Sequence, residues 1–117
     1  MRDYNFDDKI RDHHYILVEF MNGWCSNCKK FYPKLEQITL DFMVHYPMIS
    51  VGQVEMGYCE ELRERFDIRH NPTLILFKEG QQIGRYRGRE EVADVEEWAY
   101  SFIEAVSDSG QEVNDLF

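Results

Sequence analysis

Cysteine is scarce in this chain. There are three in 117 residues, an odd count and too few for the disulfide framework of a small secreted fold. The fold must therefore stand on its apolar core, and cysteine is left free for chemistry. Basic charge is also short, with 13 Lys and Arg against 22 Asp and Glu and a formal net charge of −9. An overall field of that sign excludes attraction to phosphate backbones and anionic membrane surfaces, so neither nucleic acid nor membrane is an expected partner. No apolar run approaches the ~20 residues that a membrane-spanning helix needs. The opening "MRDYNFDDKI" is polar and acidic, unlike a secretory leader. That predicts a cytoplasmic protein. A segment of a longer exported protein would read the same way, which keeps the endoplasmic-reticulum lumen and the periplasm open. Linkers, repeats and low-complexity tracts are lacking too, and the length suits one domain with one core.

What is present is an alternation of periods. Phe6 and Ile10 share a face of a short helix over 4–12. "YILVEFM", 15–21, is an almost unbroken run of β-formers, as expected of a central strand covered on both sides. Glu19 interrupts it. From Ser26 the spacing changes, and Phe31, Leu35, Ile38 and Phe42 mark a helix to about His45, with Pro33 predicted to kink it. Strands follow at 48–56, 72–78 and 81–87, the last two joined as a hairpin at Gly80. A short helix is predicted at 59–66. An amphipathic helix at 90–106 precedes a polar tail over 108–117, so the domain is read as 1–107. The order α-β-α-β-α-β-β-α predicts an α/β fold, a mixed sheet of four to five strands with helices on both faces.

Cys25 and Cys28 lie where the first strand gives way to the long helix. The first helical turn offers unpaired N–H groups and partial positive charge, and Lys29 and Lys30 stand beside it. That setting favours a thiolate at Cys25, and the thiolate is the nucleophile of disulfide exchange. Cys28, one turn deeper, is placed to attack the resulting mixed disulfide. A zinc site would need two more ligands from Cys59 and the scattered histidines, and no second close-spaced pair supplies them. Two inert core cysteines fit poorly at a partly exposed strand-to-helix junction. Cys59 opens the short helix and reads either as a redox-sensitive thiol or as a small buried apolar group.

Three stretches together resemble the thioredoxin-fold family, and within it the a-type domains of protein disulfide isomerases. They are "ILVEFMNGWCSNCKKFYP", "FDIRHNPTLILFKEG" and "GREEVADVEEW". The resemblance spans about Asn5 to Val106, and the family's first strand would be short or missing. It implies Cys25 as nucleophile and Cys28 as resolving cysteine. It implies a cis bond before Pro72, with Asn71 and Pro72 presenting backbone groups to an extended substrate beside Trp24. Glu19 would be a buried acid that relays a proton from Cys28. Arg89 would swing toward Cys28, although a plain surface arginine fits its position as well. The implied activity is thiol-disulfide exchange with protein thiols and disulfides, by a monomer reset by a redox-recycling protein, with no cofactor and no metal. The alternative is a thioredoxin-like binding module with a vestigial pair and an acidic last helix as its docking face.

This sequence departs from the family between the cysteines. Ser26-Asn27 stand where isomerases carry Gly-His and reductases Gly-Pro. Ser26 is expected to cap the helix and Asn27 to bond a sulfur. Gln53 stands where a lysine often lies near the buried acid.

Overall fold

The computed structural model describes the backbone of residues 1–115 and side chains as far as Ile103. Helix α1 (Phe6–Arg11) leads into strand β1 (Tyr15–Met21), then helix α2 (Ser26–His45) and strand β2 (Ile49–Glu55). A 3-10 turn (Met56–Tyr58), helix α3 (Glu60–Arg65), the hairpin β3 (Thr73–Lys78) and β4 (Gln81–Arg85), and helix α4 (Val92–Asp115) complete the order. Every predicted element is found, most of them one to three residues shorter. Helix α4 is longer: its backbone continues to Asp115, past the end predicted at 106. The boundary drawn at 107 falls where side chains lie outside the described residues.

The sheet has four strands in the order β2-β1-β3-β4. β1 runs parallel to β2 and antiparallel to β3, and β3 antiparallel to β4. No strand precedes β1 among the described residues. The Met1 amino group instead donates to the Gln53 carbonyl on β2 at 2.8 Å. Central placement explains the unbroken apolar run of β1, because both of its faces are covered. Alternation sends Ile16, Val18 and Phe20 into one core and Tyr15 and Leu17 into the other. The first core is closed by α1 and α3, where Phe6 packs against Phe20, Phe66 and Phe77 with ring centroids 6.2, 5.5 and 5.6 Å away. The second is closed by Phe31, Leu35, Ile38 and Phe42 of α2 and Val95, Ala99 and Ile103 of α4.

The β3–β4 hairpin turns at Glu79 and Gly80, both with positive φ, at 50° and 85°. A two-residue turn with this sign matches the twist of the flanking strands. Gly80 is also needed for room, since a Cβ there would sit 2.7 Å from Arg11 Cγ. Helix α2 passes through Pro33 without interruption.

Candidate active site

Period two places Glu19 on the same face of β1 as Tyr15 and Leu17, beneath the start of α2. Its residue is 1% exposed, which excludes an edge-facing role. Parallel register sets it opposite Gln53, whose Nε2 donates to Glu19 Oε1 at 2.8 Å. Oε2 is buried with no hydrogen-bond partner. Burial raises the Glu19 pKa, the Gln53 hydrogen bond opposes this, and Glu90 adds to it. Gln53, read from sequence only as a missing lysine, is thus the group that orients the acid.

Between β1 and α2, residues 22–25 form a tight turn. Asn22 Oδ1 accepts from the Trp24 N–H at 2.9 Å, and the Asn22 carbonyl accepts from the Cys25 N–H at 3.0 Å. The helix cap is Cys25 itself, not Ser26: its Sγ accepts the Cys28 N–H at 3.1 Å. Sulfur takes the position a cap oxygen usually fills. Ser26 is instead the first helical residue, and among the described residues Asn27 bonds neither sulfur. Cys25 is half-buried and Cys28 buried, and both are free thiols.

Cys28 is pushed up to about 12. Burial is the main cause, followed by its contact with Cys25; the Glu19 charge adds a smaller part, and the Asn22 backbone opposes. No direct hydrogen bond joins Glu19 to Cys28, so the carboxyl acts on the thiol through space. Lys29 and Lys30 are exposed and do not figure among the charges felt by Cys28.

The opposite wall is the turn before β3. The Asn71–Pro72 peptide bond is cis, and the Cys25 thiol donates to the Asn71 carbonyl at 3.4 Å. Thus Cys25, Cys28, Asn71 and Pro72 meet at one end of the sheet. Trp24 flanks them, 80% exposed, its ring lying over Gly57. Arg89 is not brought in. It is exposed in the 86–91 loop, where its carbonyl accepts the Tyr86 hydroxyl.

The structure adds a residue that the sequence did not single out. Glu55, at the end of β2, accepts the Gly23 N–H on Oε2 at 2.8 Å and the Gly57 N–H on Oε1 at 3.0 Å. One carboxylate therefore ties the cysteine loop to the 3-10 turn under Trp24. Cys59 is fully buried in the α1/α3 core, with Sγ 3.8 Å from the Met1 carbonyl; burial raises its pKa. Among the described residues no group of three or more His, Cys, Asp or Glu could hold a metal ion, and no helix is long and apolar enough to cross a membrane.

The thioredoxin family model matches residues 1–101. This chain belongs to the thioredoxin family. Among curated relatives, protein disulfide-isomerase A4 of Bos taurus is 34% identical over 100 residues, which cover 83% of this chain and 16% of that protein. Protein disulfide-isomerase of Drosophila melanogaster is 31% identical over 94 residues, 80% of this chain and 19% of the relative. The chain thus spans less than a fifth of these relatives. The first thioredoxin domain of mouse protein disulfide-isomerase A4 superposes with a TM-score of 0.72 at 30% identity, covering 81% of this chain and 67% of that one. Human ERp44 in a zinc-bound form shares the fold, with a TM-score of 0.80 at 22% identity over 86% of this chain and 30% of that one. The chain is a thioredoxin domain related to the disulfide isomerases, with Cys25 and Cys28 as its Cys-x-x-Cys pair.

Proposed function

We propose that this thioredoxin domain is a protein thiol-disulfide oxidoreductase working through Cys25 and Cys28. One observation carries the reading: the Cys28 N–H points at Cys25 Sγ from the head of α2, while the Cys28 sulfur is buried behind it. The outer sulfur is presented to substrate at a helix N-terminus, which favours the negative charge that attack requires. The inner one is held back as a thiol. In the reducing direction Cys25 attacks one sulfur of a substrate disulfide, that S–S bond breaks, and the departing substrate thiolate takes up a proton. Cys28 then loses its proton and attacks Cys25 Sγ, forming the Cys25–Cys28 disulfide and releasing the second substrate thiol. The reverse sequence donates the disulfide.

Glu19 is assigned the Cys28 proton. A carboxyl already inclined to hold a proton, with one buried oxygen unpaired, is suited to receive it. Attack by Cys25 also ends its S–H bond to Asn71, which frees that carbonyl for a substrate N–H. Trp24 and Pro72 form the walls along which an extended segment lies. Arg89 reaches Cys28 only if the 86–91 loop moves, and it is assigned the charge that follows ionisation there. Protein substrates and a recycling redox protein are the partners. Of the compartments the sequence left open, kinship with disulfide isomerases favours the endoplasmic-reticulum lumen over the cytoplasm.

The test is insulin reduction with dithiothreitol, followed by turbidity. Wild type should accelerate precipitation and Cys25→Ser should not. Equal rates for the two would leave a binding module with an idle pair.

A further inference from the structure

Beside the cysteine pair lies a cleft of about 490 Å³, bounded by Pro72 and opening between the 67–73 loop and β4. Its charge runs against that of the chain. Arg69, Arg85, Arg87 and His70 line it, with Asp67 the only carboxylate. Asp67 is occupied, accepting Arg69 Nε at 2.9 Å. Arg85 is fixed to the carbonyls of Phe66 and Asp67, the second at 3.4 Å, and its buried Nε has no partner. Among the described residues neither Arg85 nor Arg87 forms an ion pair. The acids near Tyr86, Asp94 and Glu90 and Glu91, do not line the cleft. In a protein of net charge −9, two guanidinium groups, Arg85 and Arg87, stand in one cleft without a carboxylate partner, beside an Arg69 already paired with Asp67.

We propose that this cleft is a specificity subsite which takes an aspartate or glutamate side chain of the protein segment whose disulfide Cys25 attacks. The inference deepens the oxidoreductase reading and rests on it. Its basis is continuity. Pro72 lines the cleft, and the residue bonded to it, Asn71, accepts from the Cys25 thiol at 3.4 Å. A segment extended across Pro72 advances roughly 3.3 Å per residue, so a carboxylate within about three residues of the substrate cysteine reaches the arginines. Guanidinium groups suit carboxylates, since their paired donors match both oxygens. The acidic remainder of the molecule repels an acidic segment from other faces, so binding is confined to this one.

The experiment compares disulfide-bonded peptides that differ only in flanking residues: two glutamates, two glutamines or two lysines. Wild type should reduce the glutamate peptide about tenfold faster, in kcat/KM at low salt, than the lysine peptide, as two rim charges allow. Arg69→Ala with Arg87→Ala should collapse that ratio, Arg87→Glu should invert it, and high salt should flatten it. Equal rates for wild type on all three peptides, or a preference that survives the double substitution, would overturn the subsite. A second readout is independent of sulfur chemistry. A fluorescent glutamate peptide with serine in place of cysteine should bind wild type more tightly than the double variant by anisotropy. Retained binding with no exchange on any peptide would remove the redox reading and keep the subsite. Exchange without charge-dependent binding or rate would do the opposite.

Discussion

Gln53 and Glu19 are register partners across β2 and β1, and the amide of one donates to the carboxyl of the other at 2.8 Å. The bond holds one oxygen of the acid and leaves the second bare, so Glu19 is oriented without being neutralised. The folded chain keeps this carboxyl protonated to higher pH than the unfolded chain, whose value is near the ordinary 4.5. The ionisation-linked cost of its burial is therefore absent well below 4.5 and grows as pH rises through the folded value. Glu19→Gln should be more stable than wild type at pH 7 to about 8, with the gap closing toward about pH 4 in urea titrations. The same variant should slow resolution of the mixed disulfide on the order of a hundredfold, measured by acid quench and mass spectrometry. A variant that gains stability and loses no rate would remove Glu19 from the proton path.

Cys28 and Cys59 are both buried with raised pKa values, Cys28 to about 12. Iodoacetamide at neutral pH should place a single adduct on Cys25, read by peptide mapping. Cys28→Ser should accumulate a substrate adduct on Cys25, because the second attack is lost while the first proceeds. Labelling of Cys28 ahead of Cys25 would reverse the assigned order of attack.

Removing the Glu55 carboxylate leaves two loop amides without their acceptor. Glu55→Ala should cost about 1 kcal/mol by thermal or urea unfolding, the usual size of a lost cap. Trp24 fluorescence should shift as the loop loses its tie to the 3-10 turn, and kcat/KM should fall while the stability change stays small. Glu55→Gln keeps one acceptor and should lie between the two. No change in Trp24 emission would show that the loop holds its shape without the clamp.

A carboxyl pair bridges α2 and α4. Glu96 is raised to about 7 by burial and by its contact with Asp41, and Asp41 is lowered by the same contact. The two carboxyls titrate as a coupled pair, with Glu96 the one that keeps its proton to higher pH. This support is complete below the unfolded value of 4.5 and is lost as pH rises through about 7. Wild type should therefore lose on the order of 1–2 kcal/mol relative to Glu96→Gln between about pH 5 and 8, after allowance for solvent screening. Parallel pH profiles for the two proteins would disprove the raised Glu96 value.

The sheet and helices were legible because β1 shows an unbroken apolar run and α2 a three-and-four spacing, signals that local sequence carries whole. Glu19 was legible for the same reason in reverse: one acid amid β-formers has nowhere to go but inward. Glu55 was not. At the end of a strand it reads as an ordinary exposed acid, and its partners are backbone amides that leave no mark in the sequence. The cap was misassigned to Ser26 because oxygen side chains are the usual cap formers, whereas here the sulfur itself fills the position. Asp41 and Glu96 lie on separate helices, and only the packing of α2 on α4 makes them neighbours. Lys29 and Lys30 show the converse. Adjacent in sequence to the cysteines, they project into solvent.

The acid beneath the site belongs to the most enclosed strand, whereas the attacking sulfur hangs from a turn of four residues. The two halves of the chemistry therefore have separate lifetimes. Breathing of the turn can silence the nucleophile in a brief local excursion, but the proton acceptor leaves its post only when the whole sheet comes apart. Amide exchange should register this as fast opening at residues 22–25 over a Glu19 amide that opens only with global unfolding.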